Sequence, residues 1–145
     1  MDITSPSFQN NGIIPKKHAY EGQNLSPALN FIDVPKAAST LVLIVDDPDA
    51  PSGTIDHWIV WNIPSDITGI EEGQKGLTSG LNSYLVNRYK GPCPPSGSSH
   101  RYFFKLYALD TMLKLPSRVN KKQLVSAMQD HIIDKAVLIG TYATP

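Results

Sequence analysis

Two histidines each stand where a proline-stiffened loop runs into a β-branched or aromatic stretch. The first loop is Asp46-Asp47-Pro48-Asp49-Ala50-Pro51-Ser52-Gly53, with Asp56-His57-Trp58 shortly after it. The second is Gly91-Pro92-Cys93-Pro94-Pro95-Ser96-Gly97-Ser98-Ser99, which leads into His100-Arg101-Tyr102. Proline restricts the backbone before any ligand arrives, so such loops hold a site at low entropic cost. An imidazole titrates near pH ~6.5, and a carboxylate beside it either holds the charge or fixes the tautomer. Two imidazoles (His57, His100), a phenol (Tyr102) and an acid (Asp47) in one place would turn several donors toward one guest. An oxyanion such as phosphate suits that set. The backbone N–H groups of Gly97 and Ser98 would add to it if the loop leaves them free. Asp49 either pairs with Arg101 or bonds within its own loop.

Other chemistry can be written on the same residues. Cys93 lies seven positions before His100, and a Cys–His pair is one nucleophile design. Two prolines flank that thiol, however, and no third residue is evident to orient the pair. Ser96, Ser98 and Ser99 are no better placed. Asp47, His57 and His100 also form a set that transition metals accept, but the same donors suit an anion, and no second carboxylate is placed to orient either ring. The expectation is a non-enzymatic anion site without cofactor or metal. A hydrolase using the same pocket is the weaker alternative. His18 and His131 lack a comparable setting and are assigned to the surface or to a helix. Trp58, Trp61, Phe103 and Phe104 are assigned to the core.

The elements that must position these groups are short strands. Thr40 to Val45 is apolar on both faces and reads as a central, doubly covered strand, ended by the acids and prolines that follow. Trp58–Ile63, Arg101–Leu109 and Ala136–Tyr142 read as further strands, with weaker ones at Ser5–Phe8, Leu29–Phe31 and Tyr84–Asn87. Asn120 followed by Gln123 is a capping-box pattern. The helix it starts is expected to reach about Asp130, with a further turn toward Lys135, and to align Leu124, Val125, Met128 and Ile132 on one face. Strands with one late helix give a mainly β fold: a two-sheet antiparallel β-sandwich with a short C-terminal helical segment.

At 145 residues and 15.9 kDa the chain is expected to form a single domain over 1–145. Thirteen basic and thirteen acidic side chains cancel, which excludes a bulk electrostatic grip on nucleic acid or an anionic membrane. The cancellation is uneven along the chain. Residues 1–79 hold ten acids and four bases, whereas residues 80–145 hold three acids and nine bases. The two halves are expected to pack together and neutralise one another. Lys114, Arg118, Lys121 and Lys122 read as a solvated basic face, and as the first place to look for a protein partner. The single cysteine excludes an internal disulfide framework. No apolar run is long enough to cross a membrane, and the first residues do not resemble a secretory signal, so a cytoplasmic location is expected.

The two loops together resemble the signatures of the phosphatidylethanolamine-binding protein family, in its bacterial and archaeal, Raf-kinase-inhibitor-like branch. The first signature matches Asp47-Pro48-Asp49-Ala50-Pro51 with His57-Trp58. The second matches Gly91-Pro92-Cys93-Pro94-Pro95 with His100-Arg101-Tyr102. Leu25-Ser26-Pro27-Ala28-Leu29, Trp61-Asn62-Ile63-Pro64 and the stretch from Lys135-Ala136 to Gly140-Thr141-Tyr142 agree as well. The resemblance implies a small anion pocket lined by Asp47, His57, Pro94, Pro95, His100 and Tyr102, with Asp49 and Arg101 in support. It implies a phosphate or phosphorylated head group as ligand. It also implies a protein partner, a kinase or protease that the chain inhibits through its surface. A homodimer is a separate expectation. The segment from Asp49 to His57 is short compared with eukaryotic members, and the C-terminal extension is short as well, which argues against head-group selectivity and Raf-type inhibition.

Overall fold

A computed structural model describes residues 1–145. Eight strands and one α-helix form in chain order: β1 (Asp2–Thr4), β2 (Gly12–Ile13), β3 (Leu29–Ile32), β4 (Thr40–Asp47), β5 (Ile55–Pro64), β6 (Gly69–Ile70), β7 (Ser99–Leu109), α1 (Lys121–Met128) and β8 (Ile132–Ala143). They make two sheets, β1-β3-β6 and β2-β8-β7-β4-β5. The mainly β, two-sheet expectation holds. One pairing departs from it: β2 runs parallel to β8 at the edge of the larger sheet. Gly12-Ile13 is too short to carry an alternation that could have been read in advance.

Alternation along β4 explains its position. Leu41, Leu43 and Val45 enter a core shared with Ile3, Leu29 and Phe31 of the smaller sheet. Val42 and Ile44 turn the other way and meet Ile59, Trp61, Leu124 and Met128 under α1. Both faces are covered, so every residue of β4 is buried. The strand does not stop at the acids as expected. Asp46 and Asp47 remain in the ladder because each finds a cationic or N–H partner. Asp46 Oδ2 accepts from Lys105 Nζ at 2.9 Å and Lys121 Nζ at 3.3 Å. Lys121 also lies 2.7 Å from Asp56 Oδ1, so it is tied into the body of the protein and does not belong to a free basic face.

The capping box forms as read: Asn120 Oδ1 accepts from Gln123 N at 2.9 Å, and Gln123 Oε1 accepts from Asn120 N at 2.9 Å. The helix then ends at Met128, earlier than expected. Asp130 takes a left-handed φ of 67°, and the chain reverses into β8. Ile132 thus pairs with Leu109 in the sheet and does not extend the helical face. Two weak strands are also absent. Residues 6–7 form a bend after β1. Tyr84–Asn87 belongs to a turn organised by Asn82, whose Oδ1 accepts from Tyr84 N at 2.8 Å and Val86 N at 3.3 Å.

Residues 78–90 run along the open side of β5. Trp61 N donates to Thr78 O, Gly80 N to Ile59 O, Ser83 N to Asp56 O and Lys90 N to His57 O. Among the aromatic residues, Trp58, Trp61 and Phe104 are buried as expected. Phe103 is not; it is half-buried, with the Arg101 guanidinium 5.4 Å from its ring centre. No helix is long and apolar enough to cross a membrane.

Candidate functional site

The ends of β4 and the starts of β5 and β7 meet at one end of the larger sheet, beneath the Gly91–Ser98 loop. Asp47, the last residue of β4, spends both carboxylate oxygens. Oδ2 lies 2.7 Å from His100 Nδ1, and Oδ1 accepts from Asp49 N at 2.8 Å. A carboxylate oxygen accepts, so His100 carries a proton on Nδ1 and turns Nε2 away from Asp47. His57 is set in the same way by a different group. Its Nδ1 lies 2.6 Å from the Lys90 carbonyl, which again requires the proton on Nδ1 and leaves Nε2 free. Burial pulls the His57 imidazole below its usual value; the Lys90 carbonyl and the charge of Asp47 oppose that pull.

Tyr102 stands two residues after His100, on the same side of β7. Its ring meets His57 edge-on at 5.3 Å between centroids. Its hydroxyl is fully buried and donates to no acceptor in the chain; the backbone donor acting on it is the Cys93 N–H. Burial pushes that phenol far up, reinforced by the Asp47 charge. Asp49 and Arg101 pair, the first of the two readings of Asp49. Asp49 Oδ2 accepts from Arg101 N and Nε at 2.9 Å each, and Oδ1 accepts from Nη2 at 2.8 Å. The guanidinium holds the Asp49 carboxyl at about 2. The pair ties the β4–β5 turn to the start of β7.

The loop is anchored from behind. Gly91 N donates to Asn24 Oδ1 at 2.7 Å, and Tyr20 N donates to Pro92 O at 3.0 Å. A Cβ on Gly91 would lie 2.0 Å from the His18 carbonyl oxygen, so no larger residue fits without a shift. His18 closes a short 3-10 helix (Lys16–His18), one of the two settings expected for it, but lies deep in the structure and not at the surface. It is fully buried, with Nδ1 2.8 Å from Leu25 O and Nε2 3.1 Å from Ser7 Oγ.

Two further expectations need correction or detail. The N–H groups of Gly97 and Ser98 are not free for a ligand, because they donate to Thr144 O at 3.3 Å and Pro95 O at 3.0 Å. Cys93 is exposed and shares no hydrogen bond with His100. Pro94 is buried in the loop, whereas Pro95 is exposed. The residues missed in the sequence are Tyr84 and Lys90. Tyr84 lies 6.0 Å from His57 between ring centroids. The Lys90 ammonium sits 3.3 Å from the centre of the Tyr84 ring and 4.4 Å from that of Tyr20. Lys90 immediately precedes the Gly91-Pro92 motif, but its grip on His57 is through a main-chain carbonyl, which residue type does not announce.

Three polar atoms are therefore unspent: His57 Nε2, His100 Nε2 and the hydroxyl proton of Tyr102. The two nitrogens have no partner in the chain yet are not sealed from solvent. Little of either ring reaches solvent, since His57 is only 2% and His100 only 6% exposed. The five principal cavities of the molecule lie elsewhere.

The phosphatidylethanolamine-binding protein family model matches residues 4–143. The chain belongs to that family. A UPF0098 protein of Methanothermobacter thermautotrophicus is 44% identical over 149 residues, covering 98% of each chain. The structure is similar to CT736, a phosphatidylethanolamine-binding protein homologue from Chlamydia trachomatis, with a TM-score of 0.95 and 43% identity over 99% of this chain and 97% of that one. Escherichia coli YbcL, a member of the mammalian family, superposes with a TM-score of 0.92 at 27% identity, over 99% and 98% of the two chains. The fold and the family thus agree with the resemblance carried by the two loops.

Proposed function

We propose that the chain is a non-enzymatic binding protein for small oxyanions, inorganic phosphate or a phosphorylated head group, at the site of His57, His100 and Tyr102. The observation that supports this most directly is the Tyr102 hydroxyl, buried and without an acceptor in the chain, beside two free imidazole nitrogens. An unmatched buried donor costs roughly 1–3 kcal/mol, which a ligand oxygen would recover. Asp47 orients His100 and makes no contact of its own with the ligand. Pro94 and Pro95 stiffen the wall. Support for a binding role over a hydrolytic one comes from the exposed Cys93, which has no base bonded to it.

Isothermal titration with phosphate and with phosphoethanolamine tests the reading. Heat at millimolar ligand is expected, and its loss in His57→Ala. No heat in the wild-type chain, or equal heat in the variant, overturns it. Sulfate, whose charge is constant through this range, serves for a pH series. Because burial keeps His57 neutral until below pH ~6.5, affinity should be level above that value and rise as the pH falls beneath it. A level profile from pH ~5 to ~8 contradicts a binding role for His57.

A further inference from the structure

One unexplained feature is a cleft of about 390 Å³ between the Leu25-Ser26 segment, the 73–79 loop and Asn87–Tyr89. Its apolar lining is Leu25, Leu77 and the edge-on pair Trp58 and Tyr89, whose ring centroids are 5.5 Å apart. Its polar lining contains two cations, Lys75 and Arg88, and no carboxylate. Neither cation takes part in an ion pair. The acids that precede the 73–79 loop do not neutralise it: Glu72 is held by Lys17 at 2.8 Å, and Glu71 is exposed outside the cleft.

A second, independent observation points inward. Ser26 lines the cleft and is only 5% exposed, yet its hydroxyl makes no hydrogen bond and is not sealed off. The same residue's carbonyl is occupied by Gly73 N at 2.8 Å, so the segment is fixed while its side chain stays unspent. A buried hydroxyl of this kind usually has a partner. Asn87 stands exposed on the rim of the cleft.

We propose that this cleft is a second ligand site, separate from His57 and His100, which takes a small organic anion: a phosphate or carboxylate group on a flat apolar body. Lys75 and Arg88 meet the charge. Ser26 and Asn87 bond neutral oxygens, and Leu25, Leu77, Trp58 and Tyr89 receive the ring. The volume lies near the lower end of ordinary small-molecule sites, roughly 300–1,000 Å³, which suits one ring with its acid group.

Phenyl phosphate, benzoate and inorganic phosphate are the probes, titrated against the full chain while the methyl NMR signals of Leu25 and Leu77 are followed. Those signals are expected to move with phenyl phosphate or benzoate at millimolar concentration, and much less with inorganic phosphate. A Lys75→Glu/Arg88→Glu variant, altered only at exposed positions, should lose affinity by at least about tenfold, the weight of a charge-assisted contact. Ser26→Ala should weaken binding several-fold. His57→Ala and His100→Ala should leave the response intact, which separates this site from the anion site above. Methyl signals that stay fixed with both organic probes overturn the proposal. So does undiminished binding by the charge-reversed variant, or a response that vanishes in His57→Ala.

Discussion

Asp47 offers a ligand nothing directly, because His100 Nδ1 and Asp49 N already occupy its two oxygens. Its influence passes through the imidazole it orients. Asp47→Asn keeps the shape and removes the charge, so His100 loses a charge-assisted bond. Affinity for phosphate should fall by about tenfold, and the His100 imidazole signals should move in an NMR titration. Unchanged imidazole signals refute an orienting role for Asp47. At this scale the sequence disclosed what residue type can disclose. Asp47, His57, His100 and Tyr102 were legible because acid, imidazole and phenol sit at the mouths of stiff loops. His18 was not, since its partners are a main-chain carbonyl and a serine hydroxyl with no motif around them. Lys90 was hidden for the same reason.

At the scale of elements, the long strands were readable from apolar runs and the helix start from its capping box. What escaped was set by single backbone conformations: the left-handed Asp130 that ends α1, and the Asn82 turn that replaces a strand at Tyr84–Asn87. The Gly91–Ser98 loop is placed by a close approach of this kind. Gly91→Ala would drive a Cβ into the His18 carbonyl, where a backbone atom and not a flexible side chain must yield. The expected cost is about 1–3 kcal/mol, measured by urea unfolding, together with weaker phosphate binding as Lys90 and the loop shift. A variant as stable as the parent, with the same affinity, refutes the view that this contact sets the loop.

At the scale of the whole molecule, the charge asymmetry of the sequence resolves into contacts between its two halves. Asp46 meets Lys105 and Lys121, Asp56 meets Lys121, and Asp49 meets Arg101. Acid stability follows from the buried rings. His18 and His57 are both held below the usual imidazole value, in each case chiefly by burial. The unfolded chain therefore takes up protons near pH ~6.5 that the folded chain refuses. Stability should be full above that pH and decline beneath it, through the window down to the folded values. A second loss belongs to Asp49, whose contribution is present above 3.8 and fades toward about 2. Urea midpoints across a pH series measure both, and a midpoint unchanged from pH ~7 to ~5 contradicts the first.

The 78–90 segment has a double duty. It fixes the His57 tautomer through Lys90, and it also occupies the outward amides and carbonyls along β5. An uncovered border of that length would be a template onto which another chain could zip. Variants that loosen this segment should therefore become sticky at the moment they go blind to ligand, and clouding of the solution would accompany the loss of binding.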